Sequence, residues 1–234
     1  MRVRFRFFLP LFCVMLLSAK DPVPAFHTGT RILFQGDSIT DGGRGRTADP
    51  NHIFGQSYVF LIAAKYGALE PRHNLVFLNR GVSGNKVSDL FLRWQKDTLD
   101  LKPNLLSILI GINDTSHGVP VEEFEKQYDK LLAETLAADP NLRIVLGEPF
   151  TLPVGKYKQN WTQWRYQVQL RQRVVAKLAT KYHTALVRYQ QMFDKACRRA
   201  PAEYWIWDGI HPTYAGHQLM ADEWVRTVRA FWRR

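Results

Sequence analysis

The apolar positions of this chain fall into two alternating kinds of segment. Short runs rich in Ile, Leu, Val and Phe lie near 31–35, 75–79, 105–110, 142–147 and 185–188. Each has the length of a strand, and Leu105-Leu106-Ser107-Ile108-Leu109-Ile110 is nearly continuous, as expected of a strand covered on both faces. Longer stretches of mixed apolar and polar character lie between them, near 55–69, 87–100, 121–138 and 160–182, and a last one covers 213–232. Within 121–138, Glu123, Tyr128, Leu131, Leu132 and Leu136 lie among spacings that suit an amphipathic helix, and Asp139-Pro140 stops it. Strands alternating with helices of this length predict a parallel sheet built from βαβ units, an α/β chain folded as a three-layer α/β/α sandwich.

That architecture says where to look for chemistry, because open parallel sheets bind ligands beyond the carboxyl ends of their strands. The first strand is followed by Gly36-Asp37-Ser38, and the second by Asn79-Arg80-Gly81-Val82-Ser83-Gly84-Asn85. The third is followed by Gly111-Ile112-Asn113-Asp114, and the fourth by Glu148-Pro149-Phe150. The loop before the last helix carries Asp208-Gly209-Ile210-His211-Pro212. All of these converge on one rim.

The amino-terminal stretch stands apart from this pattern. Arg2, Arg4 and Arg6 precede the apolar run from Phe7 to Leu17, and small residues follow at Ser18-Ala19. This is the layout of a secretory signal over 1–19, too short for a comfortable membrane span. Residues 20–234 are then expected to form one catalytic domain, periplasmic or secreted, with no stable membrane insertion once the signal is removed. Loss of Cys13 with the leader leaves Cys197 alone, so the mature chain has no intrachain disulfide, and Cys197 reads as a half-buried thiol. A hydrophobic fraction of 46% and an aromatic fraction of 13% suffice for one large core. The formal charge of +11 includes the three leader arginines. The remaining basic residues are spread over the helices, clustering locally at Arg44/Arg46, Arg198/Arg199 and Arg233/Arg234. Such a distribution reads as a solvated basic surface and not as a nucleic-acid site.

A serine hydroxyl needs an adjacent base before it becomes a useful nucleophile. Ser38 is the candidate nucleophile and His211 the candidate base. Asp208, three residues before His211 with Gly209 between them, can reach the imidazole Nδ1 across one tight turn, fix its tautomer and stabilise the imidazolium. Donors for a developing oxyanion are available from the Ser38 N–H, the Gly81 N–H and the Asn113 side-chain amide. Taken singly, each has a plainer reading. Gly36-Asp37-Ser38 is also a common turn, Asp208–His211 also suits a loop hydrogen bond, and Gly81 and Asn113 also suit turn and capping positions. Their joint placement on one rim favours an acyl-transfer site. Other chemistries find less support. Ser83 does not sit in a Gly-x-Ser-x-Gly elbow, and Gly42-Gly43-Arg44-Gly45-Arg46 lacks the Lys-Ser/Thr of a P-loop. His211 and His217 lack the spacing and partners of a metal site.

In these blocks the chain resembles the SGNH hydrolases, also called GDSL esterases. The likeness runs through Gly36-Asp37-Ser38-Ile39, Gly81, Gly111-Ile112-Asn113-Asp114 and Asp208-Gly209-Ile210-His211-Pro212, over roughly residues 30–230. It implies a flavodoxin-like five-stranded parallel sheet, no cofactor, and a triad of Ser38, His211 and Asp208 with Gly81 and Asn113 completing the oxyanion hole. Export, and the resemblance to secreted bacterial members, favour O-acetyl esters on carbohydrate as substrate. Trp161, Trp164, Trp205 and Trp207 are candidate sugar platforms or core residues. Arg44 and Arg46 are candidates to meet a uronic-acid carboxylate, and Glu148 is a candidate cleft residue, each with a structural role as the alternative. A lipid-directed esterase (lysophospholipase or thioesterase) and a non-catalytic sugar-binding protein are the competing readings. Oligomeric state has no sequence signal.

Overall fold

A computed structural model describes residues 23–233; the signal expected over 1–19 lies outside the described residues. The central sheet consists of β1 (Arg31–Gly36), β2 (Val76–Asn79), β3 (Leu105–Leu109), β4 (Arg143–Gly147) and β5 (Ala185–Val187). All neighbours pair in parallel, in the order β2-β1-β3-β4-β5. The strands match the sequence expectation to within a residue or two. The chain reverses its winding direction between β1 and β3, so the crevice used by open α/β sheets opens above these two strands.

The period-two alternation of the strands sorts their side chains into two cores. Ile32, Phe34, Leu105, Leu109, Val145 and Val187 face one layer. Leu33, Leu106, Ile108, Ile144 and Leu146 face the other. The first layer is covered by α2 (Tyr58–Leu69), α8 (Tyr189–Ala196) and α10 (Tyr214–Phe231). The second is covered by α3 (Val87–Phe91), α6 (Val121–Ala138) and α7 (Trp161–Lys181). In α6, Phe124, Tyr128, Leu131, Leu132 and Thr135 form the buried stripe, and Glu122 and Glu123 occupy the first turn, where the helix dipole favours negative charge. Trp224 of α10 is fully buried against the sheet, its indole N–H satisfied by the Ser107 hydroxyl at 2.9 Å. Among the described residues no helix is long and apolar enough to cross a membrane.

The helix expected over 87–100 is broken. The structure has α3, then α4 (Trp94–Asp97), then a 3-10 turn at Leu99–Leu101. Arg93 lies at the break with φ −127° and ψ 5°. Its guanidinium donates to the Asn85 Oδ1, the Gln35 Oε1 and the Arg80 carbonyl. The Gln35 amide then takes the Asp97 carbonyl at 2.8 Å and the Thr98 hydroxyl at 2.8 Å. Side chains from the sheet thus satisfy backbone groups that would otherwise continue the helix. Four further helices were not among the expected elements. They are α1 (Ser38–Asp41), α5 (Ile112–Ser116), α8 and α9 (Ala202–Trp205).

Candidate active site

The crevice above β1 and β3 gathers the loops singled out in the sequence. Ser38 is the first residue of α1, directly after β1. The Asp37 side chain caps this helix by accepting the Ile39 N–H at 3.0 Å. Gly36 is required just before it, since a Cβ there would stand 2.4 Å from the Leu109 carbonyl oxygen. Asp37 itself is buried, and burial pushes its carboxyl up to about 7.

The Ser38 Oγ lies 2.8 Å from the His211 Nε2, and the His211 Nδ1 lies 2.6 Å from the Asp208 Oδ2. The other oxygen of Asp208 accepts the Ile210 N–H at 3.0 Å and the His211 N–H at 2.8 Å. Gly209 makes the tight turn possible. It adopts φ +105°, and a Cβ would meet the Tyr157 ring at 2.5 Å and the Val154 carbonyl at 2.7 Å. The loop is fastened from below, with Leu152 N–H and the Thr151 hydroxyl both donating to the Gly209 carbonyl at 3.0 and 2.9 Å. Burial alone would raise the Asp208 carboxyl. The hydrogen bonds from the His211 ring and from the two backbone N–H groups outweigh it and hold the group below its ordinary value. The Asp208 hydrogen bond in turn raises His211 above the usual imidazole value, against its burial. This is a serine in contact with an imidazole that a carboxylate orients and makes more basic.

The oxyanion side differs from expectation at Gly81. Its N–H is already spent, donating to the Asn79 Oδ1 at 2.9 Å. A Cβ at this position would lie 2.4 Å from the Asp41 backbone nitrogen, so the close approach that Gly81 permits is to α1 and not to a ligand. The Asn79 amide nitrogen completes the clamp, donating to the Thr40 carbonyl at 2.7 Å and the Phe54 carbonyl at 2.9 Å. Gly84, in the same loop, is the glycine with a free donor. It is exposed at φ +83°, nothing crowds it, and its N–H has no acceptor among the described residues. Its neighbours are fixed: Ser83 donates its N–H and hydroxyl to the Asp41 carboxylate, both at 3.0 Å, and the Asn85 carbonyl accepts the Asn113 side-chain amide at 3.1 Å. That bond uses one amide hydrogen of Asn113 and leaves the second free. The Ser38 N–H is likewise without an acceptor among the described residues.

Of the candidate substrate contacts, Glu148 is corrected and Arg44 is found partly engaged. Arg44 donates from Nε to the Gly81 carbonyl at 2.9 Å, half-buried, and burial pulls its guanidinium down to about 10. Its Nε thus braces the loop, and Arg46 pairs with Asp41 at 2.8 Å. Glu148 is buried at the end of β4, where it accepts the Gln190 N–H at 3.2 Å and faces Arg188 at 3.8 Å. It lines a separate hollow with Arg165, Arg173 and Asp194, one that includes neither Ser38 nor His211. Of the tryptophans, Trp205 is buried and Trp164 stacks on Tyr157 at 4.3 Å with its indole N–H on Thr151. Trp161 is half-buried at the start of α7. Trp207 is the candidate that stays exposed, at 66%, with its ring 6.3 Å from the His211 imidazole and tilted 24° to it.

Comparison with known proteins places this geometry among relatives. The family model described as GDSL-like Lipase/Acylhydrolase matches residues 34–219. An acetylxylan esterase of Geobacillus stearothermophilus is 30% identical over 220 residues, covering 88% of this chain and 97% of that protein. The solved structure of Axe2, an acetylxylan esterase from Geobacillus stearothermophilus, is 30% identical and superimposes with a TM-score of 0.77 over 87% of this chain and 96% of that one. A protein of Parabacteroides merdae described as a GDSL-like lipase is 39% identical, with a TM-score of 0.83 over 88% of this chain and 98% of that one.

Proposed function

Since the chain belongs to the GDSL-like lipase/acylhydrolase (SGNH hydrolase) family and is a carboxylic ester hydrolase, we propose that it removes O-acetyl groups from carbohydrate. The observation that carries this reading is the continuous contact of Ser38, His211 and Asp208, at 2.8 and 2.6 Å, beside Trp207. In this reading the Ser38 Oγ attacks the acetyl carbonyl while the His211 Nε2 takes its proton, and Asp208 stabilises the imidazolium. The tetrahedral oxyanion is received by the Ser38 N–H, the Gly84 N–H and the free amide hydrogen of Asn113. The imidazolium then protonates the departing sugar oxygen. Water, deprotonated by the same Nε2, attacks the acyl-serine to release acetate and restore Ser38.

The acetyl-carbohydrate assignment draws on the similarity to an acetylxylan esterase and on the exposed indole beside the imidazole. Residues 20–234 act as one catalytic domain, and 1–19 direct its export. The test is hydrolysis of p-nitrophenyl esters from acetate to octanoate, with Ser38→Ala in parallel, followed by acetate release from acetylated xylooligosaccharides. Activity confined to short acyl groups, lost in Ser38→Ala and extended to the oligosaccharides, is the expected result. A preference for octanoate overturns the acetyl reading in favour of a lipid ester.

A further inference from the structure

The rim that carries Ser38 and His211 also holds a cavity of about 710 Å³, which the ester chemistry leaves unused. Its size falls within the roughly 300–1,000 Å³ of small-molecule sites. Ser38 and His211 do not themselves line it, but the chain runs from each into its wall, and His211 is near enough to His217 of the lining to act on its charge. Gly42 ends the α1 turn that Ser38 begins, and Tyr214 opens α10 three residues beyond His211. Phe60 of α2, Asn51, His52 and Gln56 also line it.

His217 belongs to the lining and is only 9% exposed. Its Nδ1 accepts the Tyr58 N–H at 3.2 Å, so the ring proton sits on Nε2. Burial holds its pKa down to about 4, which keeps the ring neutral near pH 7. The Nε2–H has no partner among the described residues, and with Nδ1 committed to the backbone it is the atom left for the cavity. Tyr214 is 83% exposed and Phe60 43%, so two aromatic rings are presented to solvent at this site. No Lys, Arg, Asp or Glu lines it.

We propose that this cavity is a glycan subsite that takes an uncharged sugar unit of the substrate, with the His217 Nε2–H donating to a sugar hydroxyl and Tyr214 covering the apolar face of a pyranose ring. The proposal rests on the carbohydrate reading above and adds where the chain beyond the scissile acetate is held. A fatty acyl chain would leave the buried imidazole donor unpaired, an unfavourable exchange. A uronate would bring a carboxylate into a lining without Lys or Arg, where His217 is held neutral by burial and the His52 ring is already paired with Asp49 at 2.5 Å.

The test is calorimetric binding to Ser38→Ala protein of two probes, unacetylated xylotriose and trigalacturonic acid. The expected result is that the neutral trimer binds and the uronate trimer does not. Tyr214→Ala should weaken xylotriose about 10-fold, the size of effect given by losing one aromatic face. His217→Phe keeps a ring but removes the donor and should weaken it comparably; Tyr214, being exposed, gives the answer even if His217→Phe unfolds. Unchanged affinity in Tyr214→Ala, equal binding of both trimers, or no binding of xylotriose overturns the proposal. Hydrolysis of acetylated xylotriose by the unmutated protein separates the two readings. If Tyr214-dependent binding is found without hydrolysis, the subsite stands and the proposed substrate falls. If hydrolysis occurs without such binding, only the subsite falls.

Discussion

Replacing Asp208 by Asn tests the relay at the point where geometry and charge can be separated. One carboxylate oxygen of Asp208 accepts two backbone N–H groups, from Ile210 and His211, at 3.0 and 2.8 Å. In Asp208→Asn only the amide oxygen can accept them, so the amide nitrogen must take the place now held by Oδ2, 2.6 Å from the His211 Nδ1. It would then donate to Nδ1, drive the ring proton to Nε2, and present Ser38 with a donor where a base is needed. A triad locked in the wrong tautomer loses about 10⁴ in kcat, roughly 5.4 kcal/mol of transition-state stabilisation. The fold should survive, because both loop hydrogen bonds persist. Asp208→Ala instead strips both N–H groups of their acceptor, at about 1–2 kcal/mol for this partly exposed loop, or roughly 2–8 °C in Tm.

The assay is kcat and kcat/KM for p-nitrophenyl acetate across pH, with Tm measured on the same preparations. In the unmutated protein His211 has its pKa raised by Asp208, and activity needs it neutral. Activity therefore falls as pH drops through a value above the ordinary imidazole pKa. In Asp208→Asn the raising hydrogen bond is gone, so the acid limb of the residual rate moves to lower pH. A loss of less than 10-fold, or an acid limb that stays in place, would refute the reasoning.

Three other outcomes follow from the same geometry. Asn113→Ala should lower kcat by about 100- to 1,000-fold with little change in KM, and Asn113→Asp should fail to rescue it because a carboxylate offers no donor; a change confined to KM would remove Asn113 from the oxyanion site. Gly81→Ala should be the more destabilising of the two loop glycine substitutions. Its Cβ would sit 2.4 Å from backbone at Asp41, whereas Gly84→Ala meets open space and bears only the strain of φ +83°, about 1–2 kcal/mol; the reverse order of Tm values would contradict the assignment. Trp207→Ala should raise KM for acetylated xylooligosaccharide severalfold while Tm stays within about 2 °C, as expected for a 66% exposed side chain; an unchanged KM would discard the platform.

Much of this could be read before any coordinates were available, for reasons that differ by element. The strands were legible because their apolar runs are covered on both faces and bounded by polar loops. The contact of Ser38, His211 and Asp208 was legible because Ser38 lies two residues past a strand and one turn carries both Asp208 and His211. The break within 87–100 was not, because its cause is Arg93 reaching for Gln35 and the Arg80 carbonyl, partners far off in sequence. The helices α1 and α5 are too short to show a period, and α8, with Tyr189, Phe193 and Ala196 buried at helical spacing, was the one detectable omission. Glu148 was misplaced, and the bracing bond of Arg44 missed, for a common reason. Each sits at the correct rim, but residue type and position do not reveal that a nearby carbonyl or N–H has already claimed the side chain.

The loop after β2 shows this most clearly, because it contains two glycines with opposite duties. Read from the sequence, the oxyanion donor of this loop falls on Gly81 alone. Hydrogen bonding separates them: the Gly81 N–H closes onto Asn79, while Asn79 also ties down the Thr40 and Phe54 carbonyls. Asp41 holds the next residue by accepting both donors of Ser83. Hydrogen bonding to Arg46 and Ser83 keeps the Asp41 carboxyl ionised below its ordinary value despite the opposing burial. The missing Cβ of Gly81 therefore lets the loop pack onto α1, and the open backbone of Gly84 leaves a donor at the rim. Donors fixed in this way need no reorganisation when charge develops, which is the condition under which an oxyanion site is most effective. In the proposed mechanism the network of Asn79, Asp41, Gly81 and Ser83 therefore positions the oxyanion donor without contacting the ester.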